Sequence, residues 1–327
     1  MSDARIPRPD VAADKADLLS VSVVIATFRR PGPLLLAARS VLAQEGIVPG
    51  DIELIIVDND PAGSAAPVFD ELVRQASIKT HLVHVREPGV ARARNAGVAA
   101  ARGEFIVFLD DDEEAPPTWL AALLRIQAET SADVVFGPVR ASLPDGVHEH
   151  REYLERFFSR SGPDVSGPLD LYYGCGNSLL RRSALPDPLA PFSTSRDHTG
   201  GEDDLLFGAM QQGSARFAWA HEAWVLEHVP VDRARLGYAL RRAFAYGQGP
   251  AEAAHAEGRW GAILRWMAIG AIQAAAYGVQ AALQWLFRTP DRADALDRTM
   301  RGLGKLFWFR SQEFYGRAAL GTGRETS

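Results

Sequence analysis

The chain has 327 residues, 47% hydrophobic and 23% charged, which excludes wholesale disorder and allows one large domain or two modest ones. A single cysteine, Cys175, excludes an internal disulfide framework and a cysteine-built zinc site. The net charge of −6 argues against nucleic acid as a partner, but residues 231–327 hold 14 basic and 8 acidic residues (net +6), leaving −12 on residues 1–230.

Residues 1–19 are polar, lack an apolar core and read as a flexible tail rather than a secretory signal. Short apolar runs rich in β-branched residues predict strands at 21–26, 52–57, 81–85 and 105–109. Helical patterns at 34–44, 65–76, 90–101 and 117–129 lie between or after them. Pro31 and Pro33 suit the first turn of the first helix. This alternation predicts an α/β fold with a mostly parallel sheet and helices on both faces. The expected division is a body over 20–232 and a basic, apolar helical region over 233–327.

Between Arg265 and Arg288 lie 22 uncharged residues, enough to cross the ~30 Å hydrocarbon layer of a bilayer. Trp260, Trp266 and Trp285 sit near the ends, while Gln273, Gln280 and Gln284 form one helical stripe. Three readings stay open at this stage: a helix packed on the body with the Gln stripe in water, an interfacial helix, or a single span near 266–287.

In open α/β sheets, ligands bind beyond the carboxyl ends of the strands. The first strand ends in Thr27-Phe28-Arg29-Arg30, the second in Asp58-Asn59-Asp60, the fourth in Asp110-Asp111-Asp112. Alternation along an extended segment would turn Asp110 and Asp112 to one side and Asp111 to the other. Two such carboxylates suit Mg²⁺ or Mn²⁺, with a substrate diphosphate supplying further oxygen ligands. Neither Gly-x-Gly-x-x-Gly after the first strand nor a P-loop is present, so a nucleotide must be held in another way.

The runs Val23–Arg30, Val57-Asp58-Asn59, Gly89–Gly97 and Phe108–Glu113, followed by Gly200-Gly201-Glu202-Asp203 and Glu227-His228, resemble the successive motifs of family 2 glycosyltransferases of GT-A fold. Within that family the chain looks closest to succinoglycan-type exopolysaccharide glucosyltransferases. The resemblance implies a UDP-sugar donor, with Thr27, Arg29 and Asp58 around uridine and Arg94, Asp110 and Asp111 toward the nucleotide or donor sugar. It implies Asp112 and His228 as ligands of the cation. It assigns Asp203 as general base for an inverting transfer, with Glu202 as the fallback. Asn177, Arg241 and Arg242 are weaker expectations for the acceptor or lipid side. The implied acceptor is a polyprenyl-diphosphate-linked glycan at the cytoplasmic face of the membrane. A non-catalytic sugar-nucleotide-binding or scaffold protein, and a nucleotidyltransferase of related fold, remain the alternatives.

Overall fold

The computed structural model describes residues 20–197, 200–287, 289 and 292–310. The expected tail over 1–19 and the end of the C-terminal region, 311–327, lie outside them. The leading half alternates β1 (Val21–Thr27), α1 (Pro31–Leu42), β2 (Ile52–Asp58), α2 (Ala66–Val73), β3 (Lys79–His84), α3 (Val90–Ala100) and β4 (Phe105–Phe108). Every predicted strand and helix of this half is present. Then come β5 (Glu113–Glu114), α4 (Trp119–Thr130), β6 (Val134–Phe136), β7 (Val139–Ser142), α5 (Arg151–Phe158), β8 (Gly167–Leu169) and β9 (Ser178–Arg181). The chain closes with α6 (Glu202–Gln212), β10 (Phe217–Trp219), β11 (Val225–His228), α7 (Leu236–Ala256), α8 (Trp260–Leu286) and α9 (Arg292–Leu306).

The main sheet runs β3-β2-β1-β4-β9-β6-β10-β8. β3, β2, β1 and β4 are mutually parallel, β9 pairs antiparallel with both β4 and β6, and β8 is an antiparallel edge. β1 and β2 are apolar on both faces because helices cover both sides, as parallel strands require. Two apolar clusters result: Leu34, Leu54 and Trp119 lie on one face, Val98, Phe136 and Phe207 on the other. α3 sits directly on the sheet. A Cβ at Gly97 would collide with Val24, so only glycine permits this approach.

A second, three-stranded sheet, β5-β11-β7, stands at the carboxyl end of β4. It positions the turn that follows β4 against β11.

The last three helices form a bundle in which α9 lies against α7 and α8. Their backbones meet at glycines: Gly247 faces the Arg301 carbonyl, Gly304 the Phe244 carbonyl, and Gly270 the backbone of Gly302. The bundle docks on α5 through Tyr153, Leu154, Leu236, Ala239 and Ala293. α8 packs along α9, and of its Gln stripe Gln280 is exposed. Gln273 is not left to water; its amide donates to the Arg298 carbonyl (2.8 Å) and accepts from Lys305 (3.1 Å), both on α9. The side left outward is mostly apolar, with Ile272, Val279 and Trp285 each more than 60% exposed. Only 11% of the most apolar stretch of α8 is buried.

Candidate active site

The carboxyl ends of β1, β2 and β4 open into a cavity of about 1280 Å³, walled on its other sides by the 172–176 loop, the start of α6, β11 and α7. The resemblance-derived residues Thr27, Arg29, Arg94, Asp110, Asp111, Asp112, Glu202, Asp203 and Arg242 all line it.

β4 stops at Phe108, and the aspartates occupy a tight turn in which the Glu113 amide donates to the Asp110 carbonyl (3.1 Å). The alternation expected of an extended segment is therefore lost. Asp111 accepts from the Thr27 hydroxyl (2.7 Å) and from Arg30 (3.0 Å). The same Arg30 nitrogen donates to Asp112 (2.7 Å), so Asp111 and Asp112 share one guanidinium. Asp110 turns instead toward Arg94 (3.4 Å). Gly176 allows this, since a Cβ there would come within 2.5 Å of an Asp110 oxygen.

Arg94 projects from α3 and is also ion-paired with Glu202 on α6. That pair separates the three adjacent acids of α6. Glu202 is 3% exposed and committed to Arg94. Asp203 faces the cavity with one oxygen accepting from the Cys175 amide (3.1 Å) and the other from the Asp204 amide (3.0 Å). Asp204 lies on the exposed side of the first turn. Gly200 and Gly201 precede α6 with φ of 79° and 86°, a left-handed path that glycine follows without strain.

Arg160 was not singled out from sequence, yet it holds the loop that carries Cys175. Its guanidinium donates to the carbonyls of Gly174 (2.6 Å) and Gly176. Cys175 is buried, as expected, and burial pushes its thiol well above the usual range.

Three expectations are corrected. Asp58 is 1% exposed; its carboxylate accepts from the amides of Asp60 (3.0 Å) and Ala65 (2.7 Å), closing the turn after β2 instead of facing the cavity. Its neighbour Asn59 lines the cavity. Asn177 is fully buried, accepting from the Trp119 indole (2.7 Å) and donating to the carbonyls of Pro138 and Ala223 (2.8 Å each), so it ties core elements together away from any acceptor. His228 points away from the aspartates and hydrogen-bonds the Glu114 carboxylate (2.9 Å). Arg241 is exposed on α7, about 100° around the helix from Arg242 and outside the cavity lining, a position still open to a lipid surface.

The residue that does face the aspartates from β11 is Glu227, by the period-2 alternation of a strand. Burial, and then repulsion from Asp112 and Asp110, push its carboxyl up to about 8. Burial likewise raises Asp110 and Glu113. This surplus of hard oxygen donors fits a divalent cation. Among the described residues no three His, Cys, Asp or Glu side chains form a closed cage, so a cation here would need oxygens from water or substrate.

The family profile for glycosyl transferase family 2 matches residues 22–187, the segment that builds most of this wall. The chain is 33% identical to the succinoglycan biosynthesis protein ExoM of Rhizobium meliloti over 71% of its own length and 74% of the relative's. The chain belongs to glycosyltransferase family 2. Another relative of this glycosyltransferase is the GalNAc(5)-diNAcBac-PP-undecaprenol beta-1,3-glucosyltransferase of Campylobacter jejuni, 31% identical over 35% of this chain and 36% of that one. Among solved structures, S. aureus TarS 1-349 superposes with a TM-score of 0.51 at 16% identity, covering 91% of this chain and 98% of that one. The glycosyltransferase thus has the GT-A fold that its motifs imply, with a helical C-terminal part.

Proposed function

We propose that this glycosyltransferase moves a hexose, glucose being the first choice, from a UDP-sugar to a lipid-linked glycan precursor during exopolysaccharide or cell-surface glycan synthesis, with inversion. The observation that carries the reading is the division of labour between two acids one residue apart. Glu202 is spent on Arg94, while Asp203 faces the same cavity as the Asp110–Asp112 turn with its orientation fixed by the Cys175 amide.

On this reading Thr27, Arg29 and Asn59 surround the nucleotide, and Arg94 holds the donor side of Asp110. Asp58 and Asn59 serve the nucleotide through the wall they build, Asp58 closing the turn after β2 and the Asn59 amide holding the backbone of Val85, Glu87 and Gly89. Asp112, with Glu227 beside it, would supply part of the oxygen set for Mg²⁺ or Mn²⁺, and water and the diphosphate would complete it. Such a cation would supply charge neutralisation for the departing diphosphate. Arg30 keeps Asp111 and Asp112 fixed before substrate arrives, so the site needs little reorganisation. Asp203 accepts the proton of the acceptor hydroxyl as that oxygen bonds to the anomeric carbon and the UDP oxygen leaves.

The outward apolar side of α8 supports seating on the inner face of the cell membrane, with Trp260 and Trp285 near the helix ends at headgroup depth. A screen of UDP-hexoses for UDP release, with and without Mn²⁺, tests the donor assignment. Release from none of them would overturn it.

A further inference from the structure

The cavity continues past Asp203 into a region lined by none of the residues assigned above to the donor or the cation. Its far end is built by α5, α7 and α9 and has the opposite charge character to the aspartate turn. Arg242 and Arg301 both stack on the Tyr246 ring, their guanidinium carbons 5.0 Å and 5.3 Å from its centroid. Arg242 also donates to the Tyr246 hydroxyl (2.9 Å). Arg301 is held through its Nε by Asp297 (2.7 Å), whose carboxylate in turn accepts from the buried Tyr153 hydroxyl (3.0 Å). Two cations thus lie against the same tyrosine ring, held by residues from three helices.

An unbroken run of rings connects this end to the reaction centre. Arg233 lies 3.9 Å from Asp112 and stacks on Tyr238. Tyr238 stacks on Phe158 (6.1 Å, 20° between planes), and Phe157 meets Tyr246 at 6.2 Å. All of these side chains line the cavity. Aromatic faces suit the C–H faces of sugars, and paired guanidiniums suit phosphate oxygens.

We propose that the α5–α7–α9 end of the cavity is the acceptor subsite. Arg242 and Arg301 bind the phosphate of the acceptor, Tyr246 presents both of them, and the Tyr238–Phe158 step carries the sugar whose hydroxyl reaches Asp203. This rests on the transferase reading and adds to it the side chains that take the phosphate and the sugar of the acceptor. Asp297 is a positioning residue that sets the direction of Arg301.

The test titrates geranyl diphosphate into the full-length protein by calorimetry, with and without UDP. The wild type should bind it, and UDP should not displace it. Arg242→Gln should weaken it about tenfold or more, the loss expected for one charge-assisted contact. Arg301→Lys, which keeps the charge beside Asp297, should also weaken it by losing the planar fork. UDP affinity should be the same in all three proteins, and Arg125→Gln on the opposite surface should change nothing. No binding by the wild type, equal binding by the Arg242 variant, or displacement by UDP would overturn the proposal. So would an Arg242→Gln variant that loses binding to phosphatidylglycerol vesicles yet keeps geranyl diphosphate, since the site would then serve headgroups. A wild type that binds geranyl diphosphate but not UDP would refute the donor assignment and leave this subsite standing.

Discussion

Arg94, on α3, and Glu202, at the first position of α6, form an ion pair that is almost wholly buried, with side chains 11% and 4% exposed. It joins the leading half of the sheet to the helix that carries the proposed base. Breaking a buried pair leaves a charge with neither water nor partner. Above pH 7, where Glu202 is ionised, Arg94→Met should therefore destabilise the protein by about 3–5 kcal/mol, read by denaturant unfolding. Glu202→Gln, which keeps an oxygen for Arg94, should cost clearly less.

The same pair predicts a pH dependence. Burial outweighs the attraction of Arg94 and raises the Glu202 carboxyl to about 7. The folded state then holds a proton that the unfolded state, with a pKa near 4.5, has released. This contribution to stability is complete below about pH 4.5 and is lost as the pH rises toward 7. Thermal melts across this window should show Glu202→Gln with a shallower decline than the wild type.

Glu227 and His228 are neighbours on β11 with opposite orientations, and they separate the two ways of completing a cation site. Glu227→Gln should weaken Mn²⁺-dependent UDP binding by about tenfold or more in calorimetry. His228→Ala should leave it within about twofold, because its ring is paired with Glu114 outside the cavity. The reverse ranking would restore the histidine as ligand.

The parallel half of the sheet was legible because β1, β2 and β4 are continuous apolar runs and α1 carries prolines at its start. The cavity-lining aspartates were legible for the same reason, since they end such a run. Side-chain direction was not. Asp58 and Asn177 are polar residues at strand ends, but only the three-dimensional path shows their hydrogen bonds closing a turn and crossing the core. The motif points to His228, and only the pairing of β11 with β5 shows Glu227 on the cavity side. Arg30 and Arg160 left weaker marks, because their partners lie 81 and 16 residues away.

The exposed side of α8 predicts membrane binding without a contribution to the folded core. Replacing both Ile272 and Val279 with Asp should leave the melting temperature within a few degrees, as surface changes do. The same variant should lose most sedimentation with phosphatidylglycerol vesicles. Retained sedimentation would contradict the α8 seating.

The most direct measurement of the central claim is UDP release from UDP-glucose with Mn²⁺ and a membrane lipid extract, comparing wild type with Asp203→Asn. The account predicts a rate lower by about 10²–10⁴-fold in the variant, the usual worth of a general base, with UDP affinity unchanged. A variant that releases UDP at the wild-type rate would contradict it.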